Sequence, residues 1–322
     1  MTILITGSAG FIGYHVSKKL LNLNYKIIGL DNINNYYDIN LKKKRLISLK
    51  KNKKFSFNKI DLCNYIKLNN LIKKNKIKII IHLAAQAGVR NSIKNPKNYF
   101  KSNLEGFFNI LEVSRNNKIK HLIFASTSSV YGENNKFPLN ENDKTDHPLS
   151  FYAATKKSNE VMAHSYSHIY KLPCTGVRFF TVYGPFGRPD MALYKFTNNI
   201  VKNKLIDLFN NGNHQRDFTY IDDVVDGVVS LIKKFPKKNT PYEIFNIGNG
   251  KSKKLIDYLK YIEKYLLKKA KIRKLPLQNG DIIKTHSNIK KLKNFTNYKP
   301  KTDIDLGISK FIEWFKDYHK IN

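Results

Sequence analysis

The chain has 322 residues, is 41% hydrophobic and carries a formal net charge of +34. Its length exceeds the roughly 100–200 residues of a typical single domain, so one large α/β domain with an appendage, or two domains, is expected. No apolar run nears the ~20 residues of a membrane span, and the only cysteines, Cys63 and Cys174, match no metal or redox spacing. A soluble cytoplasmic protein with no metal and no membrane partner is therefore expected.

The positive charge is spread rather than clustered. Lysine is interleaved with Asn and Ile along the chain, as in "KKNKKF" and "LIKKNKIKIII". These residue types share A/T-rich codons, so composition bias can generate the charge. Arginine, the better reader of bases, is scarce. No specific nucleic-acid partner is expected, although a basic surface attracts anionic ligands.

"TILIT" (2–6) has the length and branching of a buried strand. "FIGYHVSKKLLNL" follows with Phe11, Ile12, His15/Val16 and Leu20 at helical spacing. The strand signal returns at 26–31, 54–61, 77–84, 120–126 and 172–180, with helical stretches between. Strands alternating with helices predict βαβ units and a parallel sheet covered on both faces.

Beyond about residue 180, Pro185, Gly187 and Pro189 interrupt the pattern. Helical periodicity then marks 191–203, 222–234, 252–268 and 304–319, with few strands. This predicts a smaller, mostly helical C-terminal lobe. "YEIFNIG" (242–248) reads as a last strand of the first domain. The expected division is 1–180 plus about 217–248, against about 181–216 plus 249–322.

"GSAGFIG" sets Gly7, Gly10 and Gly13 between the first strand and the first helix. The first glycine suits a tight turn, the second lets backbone N–H groups approach a pyrophosphate, and the third lets helix and strand pack closely. This is the Rossmann-type doubly wound pattern. Phe11 and Ile12 lie within the same turn. Asp31, followed by Asn32, ends the second strand, where an acid takes ribose hydroxyls and repels a 2′-phosphate. The expected cofactor is NAD rather than NADP.

"YAATK" places Tyr152 and Lys156 one helical turn apart on one face. A lysine there is expected to depress the tyrosine from its ordinary pKa of about 10, making it a base. With the G-x-x-G-x-x-G spacing, this pair resembles the extended short-chain dehydrogenase/reductase family, the NAD-dependent epimerases and dehydratases. The resemblance spans essentially the whole chain, densely to about 225 and thinly beyond about 255.

It implies further roles. Thr127, in "ASTSSVYG" (125–132), would supply a hydroxyl beside the catalytic Tyr152 and Lys156. Asp61 and Leu62 would meet adenine, and Leu83, Ala84 and Ala85 would wall the cofactor. Asn103 would support the cofactor site from a central helix. Dehydratases of the family resemble "STDEVYG" in this loop, and related decarboxylases carry a glutamate. Here Ser128 and Ser129 replace the acids, so epimerisation is expected rather than elimination.

"FFTVYGPFGRPDMALYKF" (179–196) and "HLAAQAGVR" (82–90) resemble the UDP-glucuronate 4-epimerase signature. That resemblance implies Thr181 and Arg188 near a sugar carboxylate, with a planar guanidinium able to bind it bidentately. UDP-glucose epimerases have asparagine at the place of Thr181. "QRDFTYIDDV" (215–224) resembles the segment whose arginine, here Arg216, grips the diphosphate. Arg90 is expected to border the substrate, with no role assigned. "LPLQNGDIIKTHSNIKKL" keeps Gly280-Asp281 but has Asn279 where proline is usual, which leaves the nucleotide contacts of the last lobe open.

The implied protein is a homodimeric NAD-dependent 4-epimerase of UDP-glucuronate, serving surface-polysaccharide precursor synthesis. Two alternatives stay open. One is a UDP-hexose 4-epimerase for neutral or N-acetylated sugars. The other is a non-catalytic NAD-sensing or RNA-binding protein on the same fold, a class that typically loses the tyrosine–lysine pair.

Overall fold

The computed structural model describes residues 1–277 and 282–321. Asn279, Gly280 and Asp281 therefore lie outside the described residues. In chain order the first part runs β1 (Thr2–Thr6), α1 (Phe11–Asn22), β2 (Lys26–Asp31), α2 (Ile39–Lys50), β3 (Phe55–Lys59) and α3 (Tyr65–Lys74). It continues with β4 (Ile79–His82), α4 (Val89–Lys94), α5 (Pro96–Tyr99), a π-helical segment Phe100–Glu105 and α6 (Gly106–Asn116). Then come β5 (His121–Thr127), a 3-10 turn Ser128–Tyr131, α7 (Phe151–Tyr170) and β6 (Cys174–Phe179).

The second part holds β7 (Thr181–Tyr183), α8 (Ala192–Val201), β8 (Leu205–Phe209), β9 (Gln215–Tyr220), α9 (Ile221–Leu231) and β10 (Tyr242–Ile247). It ends with β11 (Ser252–Lys254), α10 (Leu255–Leu266), β12 (Lys271–Leu275), α11 (Lys290–Thr296) and α12 (Ile304–His319).

Seven parallel strands make the main sheet, in the order β10-β6-β5-β4-β1-β2-β3. Both faces are buried, and strand alternation divides the apolar side chains between them. On one face Ile3, Ile5, Ile81 and Val177 pack with Val16 and Leu20 of α1 and Val224 and Val228 of α9. On the other, Leu4, Ile28, Ile80, Leu122 and Phe124 meet Leu68 and Ile72 of α3 and Phe107 and Ile110 of α6. Each such side chain contributes about 1.5–3 kcal/mol on burial. The fold is the doubly wound α/β arrangement that the sequence pattern implies.

β4 and β2 flank β1 on opposite sides, so the crossover direction reverses beside β1. In such sheets the crevice beyond the carboxyl ends of the strands at this reversal is where ligands bind.

The last part differs from expectation in its strand content. Five short strands lie outside the main sheet: β11-β9-β7 form one sheet, and β12-β8 a second. Their signal is weak because each has at most six residues and finds its partner far away in sequence, as Leu205–Phe209 does with Lys271–Leu275. Phe218 and Tyr258 stack at 4.1 Å between these elements and α10.

One ion pair crosses the interior. Glu160 of α7 takes Arg178 of β6 bidentately, through Nε–Oε1 at 2.9 Å and Nη2–Oε2 at 2.8 Å. Ser126 of β5 also donates to Glu160, at 2.6 Å. Removing one member of a buried pair strands the other charge. Arg178→Met should therefore lower unfolding free energy by about 3–5 kcal/mol in urea titration, and Glu160→Gln by a comparable amount. A loss under 1 kcal/mol in both would contradict this account.

Candidate active site

The crevice is a cavity of about 990 Å³ running from the glycine turn to α10. Gly7 has φ +72°, and a Cβ there would stand 2.8 Å from the Ala84 backbone nitrogen. A Cβ on Gly13 would overlap the Gly7 carbonyl. Glycine is thus required for β1, α1 and the end of β4 to come together, leaving a backbone cradle at the N-terminus of a twelve-residue helix.

At the end of β2, Asp31 accepts the N–H of Ala9 at 3.1 Å and of Ile33 at 2.8 Å. Burial pushes its carboxyl up, opposed by these backbone bonds and by the charges of Lys42 and Arg45. Asn32 donates to Asp61 at 2.9 Å, and Asp61 also accepts the Cys63 N–H at 2.9 Å. Gly7, Gly10, Phe11, Ile12, Gly13, Asp31, Asn32, Asp61, Leu62, Leu83, Ala84 and Ala85 all line the cavity. A backbone cradle followed by an acid at the next strand end fits a dinucleotide.

Asn103 backs the site rather than lining it. It stands behind the wall, accepting the Gln86 N–H at 2.8 Å and donating to the Gln86 carbonyl and to Thr155, both at 3.0 Å. It is the buried residue of the π-helical segment. It fixes Gln86 at the end of the Leu83–Gln86 wall and is not among the cavity-lining residues.

Toward the sheet's carboxyl end, Tyr152, Lys156, Thr127, Ser128, Ser129 and Thr181 share the same cavity. Ser150 caps α7 by accepting the Ala153 N–H, so the helix begins just before Tyr152. Thr127 accepts the Ser129 N–H at 3.2 Å and donates its hydroxyl to that of Ser129 at 3.3 Å. Tyr99 packs edge-on against Tyr152 at 6.1 Å.

Burial pushes the Tyr152 phenol up, and the Arg188 charge and the Thr127 hydroxyl only partly oppose it. Burial holds Lys156 down at about 8, against the opposing influence of Glu160. The helical spacing correctly puts both groups on one face, but that face points into the protein, where desolvation dominates.

Arg188 and Arg216 line the cavity, as does Arg90. The Arg188 guanidinium already holds a carboxylate: Nε meets Asp190 Oδ1 at 3.0 Å, and Nη2 meets Oδ2 at 2.5 Å. Its Nε–Nη2 edge is therefore engaged, which leaves the Nη1–Nη2 end for any further anion. Arg216 donates to the carbonyls of Gln215 at 2.9 Å and Ile283 at 3.0 Å. Arg90 stands over the Phe209 ring at 5.2 Å.

Sequence reasoning missed Tyr36, Asp190, Lys42 and Lys195, which also line the cavity. Asp190 falls inside the quoted 179–196 stretch, but only its pairing with Arg188 distinguishes it. Lys42 donates to the Asn34 carbonyl at 2.7 Å and side chain at 2.8 Å, a contact no spacing rule indicates.

The profile of the NAD dependent epimerase/dehydratase family matches residues 3–248. This chain belongs to that family. It is 49% identical over 334 residues to protein CapI of Staphylococcus aureus, covering 99% of this chain and 100% of that one. It is 42% identical over 335 residues to a probable UDP-glucuronate 4-epimerase of Rhizobium meliloti, covering 99% and 98%. Its structure superposes with a TM-score of 0.93, at 34% identity, on a Bacillus cereus UDP-glucuronic acid 4-epimerase complexed with UDP-glucuronic acid and NAD, over 99% and 100% of the two chains.

The family is NAD-dependent, and the cradle makes a direct prediction. Gly13→Ala should leave the far-ultraviolet circular dichroism native while weakening NAD binding at least about tenfold by calorimetry, because the methyl group must displace the Gly7 carbonyl. Unchanged affinity would show that the turn does not hold the pyrophosphate.

Proposed function

We propose that the protein interconverts UDP-glucuronate and UDP-galacturonate by transient oxidation at C4. The observation that carries this reading is the cavity wall beside Tyr152. It offers the hydroxyls of Thr127, Ser128, Ser129 and Thr181, with the Arg188–Asp190 pair as the nearby charge. Hydroxyls hold a carboxylate but cannot run an acid/base elimination. The relatives that bear this activity by name, across nearly their full lengths, support the same choice.

In the proposed reaction Tyr152 takes the proton of the sugar 4-hydroxyl while Thr127 steadies the same oxygen. Bound NAD supplies the site that accepts the C4 hydride and gives it back. Positive charge on Lys156 would oppose the burial that raises the Tyr152 phenol and so favour its action as the base. Between the two transfers the 4-keto sugar turns about its diphosphate, which Arg216 retains. That intermediate is a β-keto acid and loses carbon dioxide readily. Ser128, Ser129, Thr181 and Arg188 restrain its carboxylate.

Assembly and location extend the proposal. Phe108 of α6 and Phe151 and Val161 of α7 are 47%, 38% and 58% exposed. We assign this face to a second copy of the chain, giving a homodimer. Val161→Glu should then move the sedimenting species from dimer to monomer. A wild type that already sediments as a monomer would refute the assignment. No described helix is long and apolar enough to cross a membrane. Cys63 and Cys174 are free thiols, which suits a reducing cytoplasm. There the product would serve as a precursor for surface polysaccharide.

Incubation with UDP-glucuronate and UDP-glucose separately, with products resolved by NMR, tests the sugar. UDP-galacturonate should form without net NADH, and UDP-glucose should react slowly or not at all. Preference for UDP-glucose would favour the neutral-sugar epimerase. Tyr152→Phe should lower turnover at least about 100-fold while sugar binding changes only a few-fold, since the ring survives and the base is lost. Near-native rates would remove Tyr152 from its role.

A further inference from the structure

Epimerisation makes opposing demands on a carboxylate partner. The sugar must be gripped so that the keto acid survives, yet it must let go so that it can turn. An arginine whose whole binding edge closed on the sugar would satisfy the first demand and obstruct the second.

The structure shows Arg188 already paired inside the cavity. Asp190, two residues on, occupies its Nε–Nη2 edge through two charge-assisted hydrogen bonds. Tyr36 reaches over from the loop between β2 and α2 and donates its hydroxyl to Asp190 Oδ2 at 3.2 Å. The Arg188 guanidinium stands over the Tyr36 ring at 5.8 Å. Gly88 lies against the pair: a Cβ there would stand 2.6 Å from the Tyr36 hydroxyl and 3.6 Å from Arg188 Nη2. The unit draws on three separate segments, and Tyr36, Gly88, Arg188 and Asp190 all face the cavity.

Burial is the largest influence on Asp190 and opposes its ionisation, but the Arg188 charge and the hydrogen bonds from Arg188 and Tyr36 together outweigh it and keep the carboxyl below its ordinary range. A permanent internal carboxylate is thus available to Arg188 whether or not a substrate carboxylate is present. Adding a second carboxylate at the open end makes the two compete for one cation.

We propose that Asp190, held by Tyr36, is an exchange partner that lets Arg188 release the sugar carboxylate while the 4-keto intermediate turns. Asp190 and Tyr36 are positioning residues, acting through Arg188. The inference rests on the assignment of UDP-glucuronate as substrate. Without Asp190, Arg188 would face the sugar carboxylate uncompensated. Binding would tighten while turning slowed.

The test is a KM-against-kcat split in the NAD-loaded enzyme. Asp190→Asn should lower KM for UDP-glucuronate about 3- to 10-fold and lower kcat by about the same factor. Tyr36→Phe, which removes only the hydroxyl and keeps the ring, should move both constants in the same directions by about 2- to 3-fold. Neither variant should show this opposed change of KM and kcat on UDP-glucose, because that sugar has no carboxylate to exchange. A raised KM, or equal losses on both sugars, in Tyr36→Phe would overturn the proposal, and so would unchanged constants in a folded Asp190→Asn protein. Failure of the substrate assignment is read separately, from wild-type enzyme that does not turn over UDP-glucuronate.

Discussion

A lysine ammonium in the protein interior is the constraint that the rest of the site is built around. Lys156 is almost wholly removed from solvent, and burial brings its pKa down to about 8. Glu160, one turn along α7, is the charge that resists this. Glu160 is fixed in turn by Arg178 from β6 and Ser126 from β5. Three elements of the main sheet layer therefore converge on one carboxylate. A buried charge unpaired in this way would cost several kcal/mol, so the spacing of α7 over β5 and β6 is not free to vary. Tyr152 inherits its position from that spacing.

The same network reaches the substrate side. Arg178 also donates to the Glu141 carbonyl at 3.2 Å and stands over the Tyr131 ring at 4.8 Å. Tyr131 closes onto Asn246 at 2.7 Å. The loop that carries Thr127, Ser128 and Ser129 is thus tied at both ends to buried polar groups. Hydroxyls are useful to a reaction only when their lone pairs and protons are aimed. Here that aiming comes from the polar core beneath the loop that carries the hydroxyls of the proposed site.

The two halves of the molecule meet along the stretch 184–190. Arg45 of α2 is fully buried and donates to the Ala9 carbonyl at 2.8 Å and the Phe186 carbonyl at 2.5 Å. His15 contacts the Pro185 carbonyl at 2.9 Å. These contacts bind the glycine turn to the stretch bearing Arg188. The glycine turn and the charged end of the cavity are parts of one packed seam.

The sequence by itself determined the main sheet, because seven β-branched runs and intervening helical periodicity leave few other ways to bury both faces. It also determined the glycine cradle, Asp31 at a strand end and the Tyr152–Lys156 face, since each follows from spacing within one or two consecutive elements. Local spacing could not reveal the short strands of the last part, whose partners lie some 66 residues apart in the Leu205–Lys271 register. Nor could it show that Asn103 stands behind the wall, or that burial outweighs the Arg188 charge and the Thr127 hydroxyl in setting the Tyr152 phenol. The pairing of Arg188 with Asp190 and Tyr36 was equally hidden, because it brings residue 36 to residue 190. Chain order records what neighbours can do together. Desolvation and the competition of distant side chains for one charge exist only once the tertiary structure has packed them side by side.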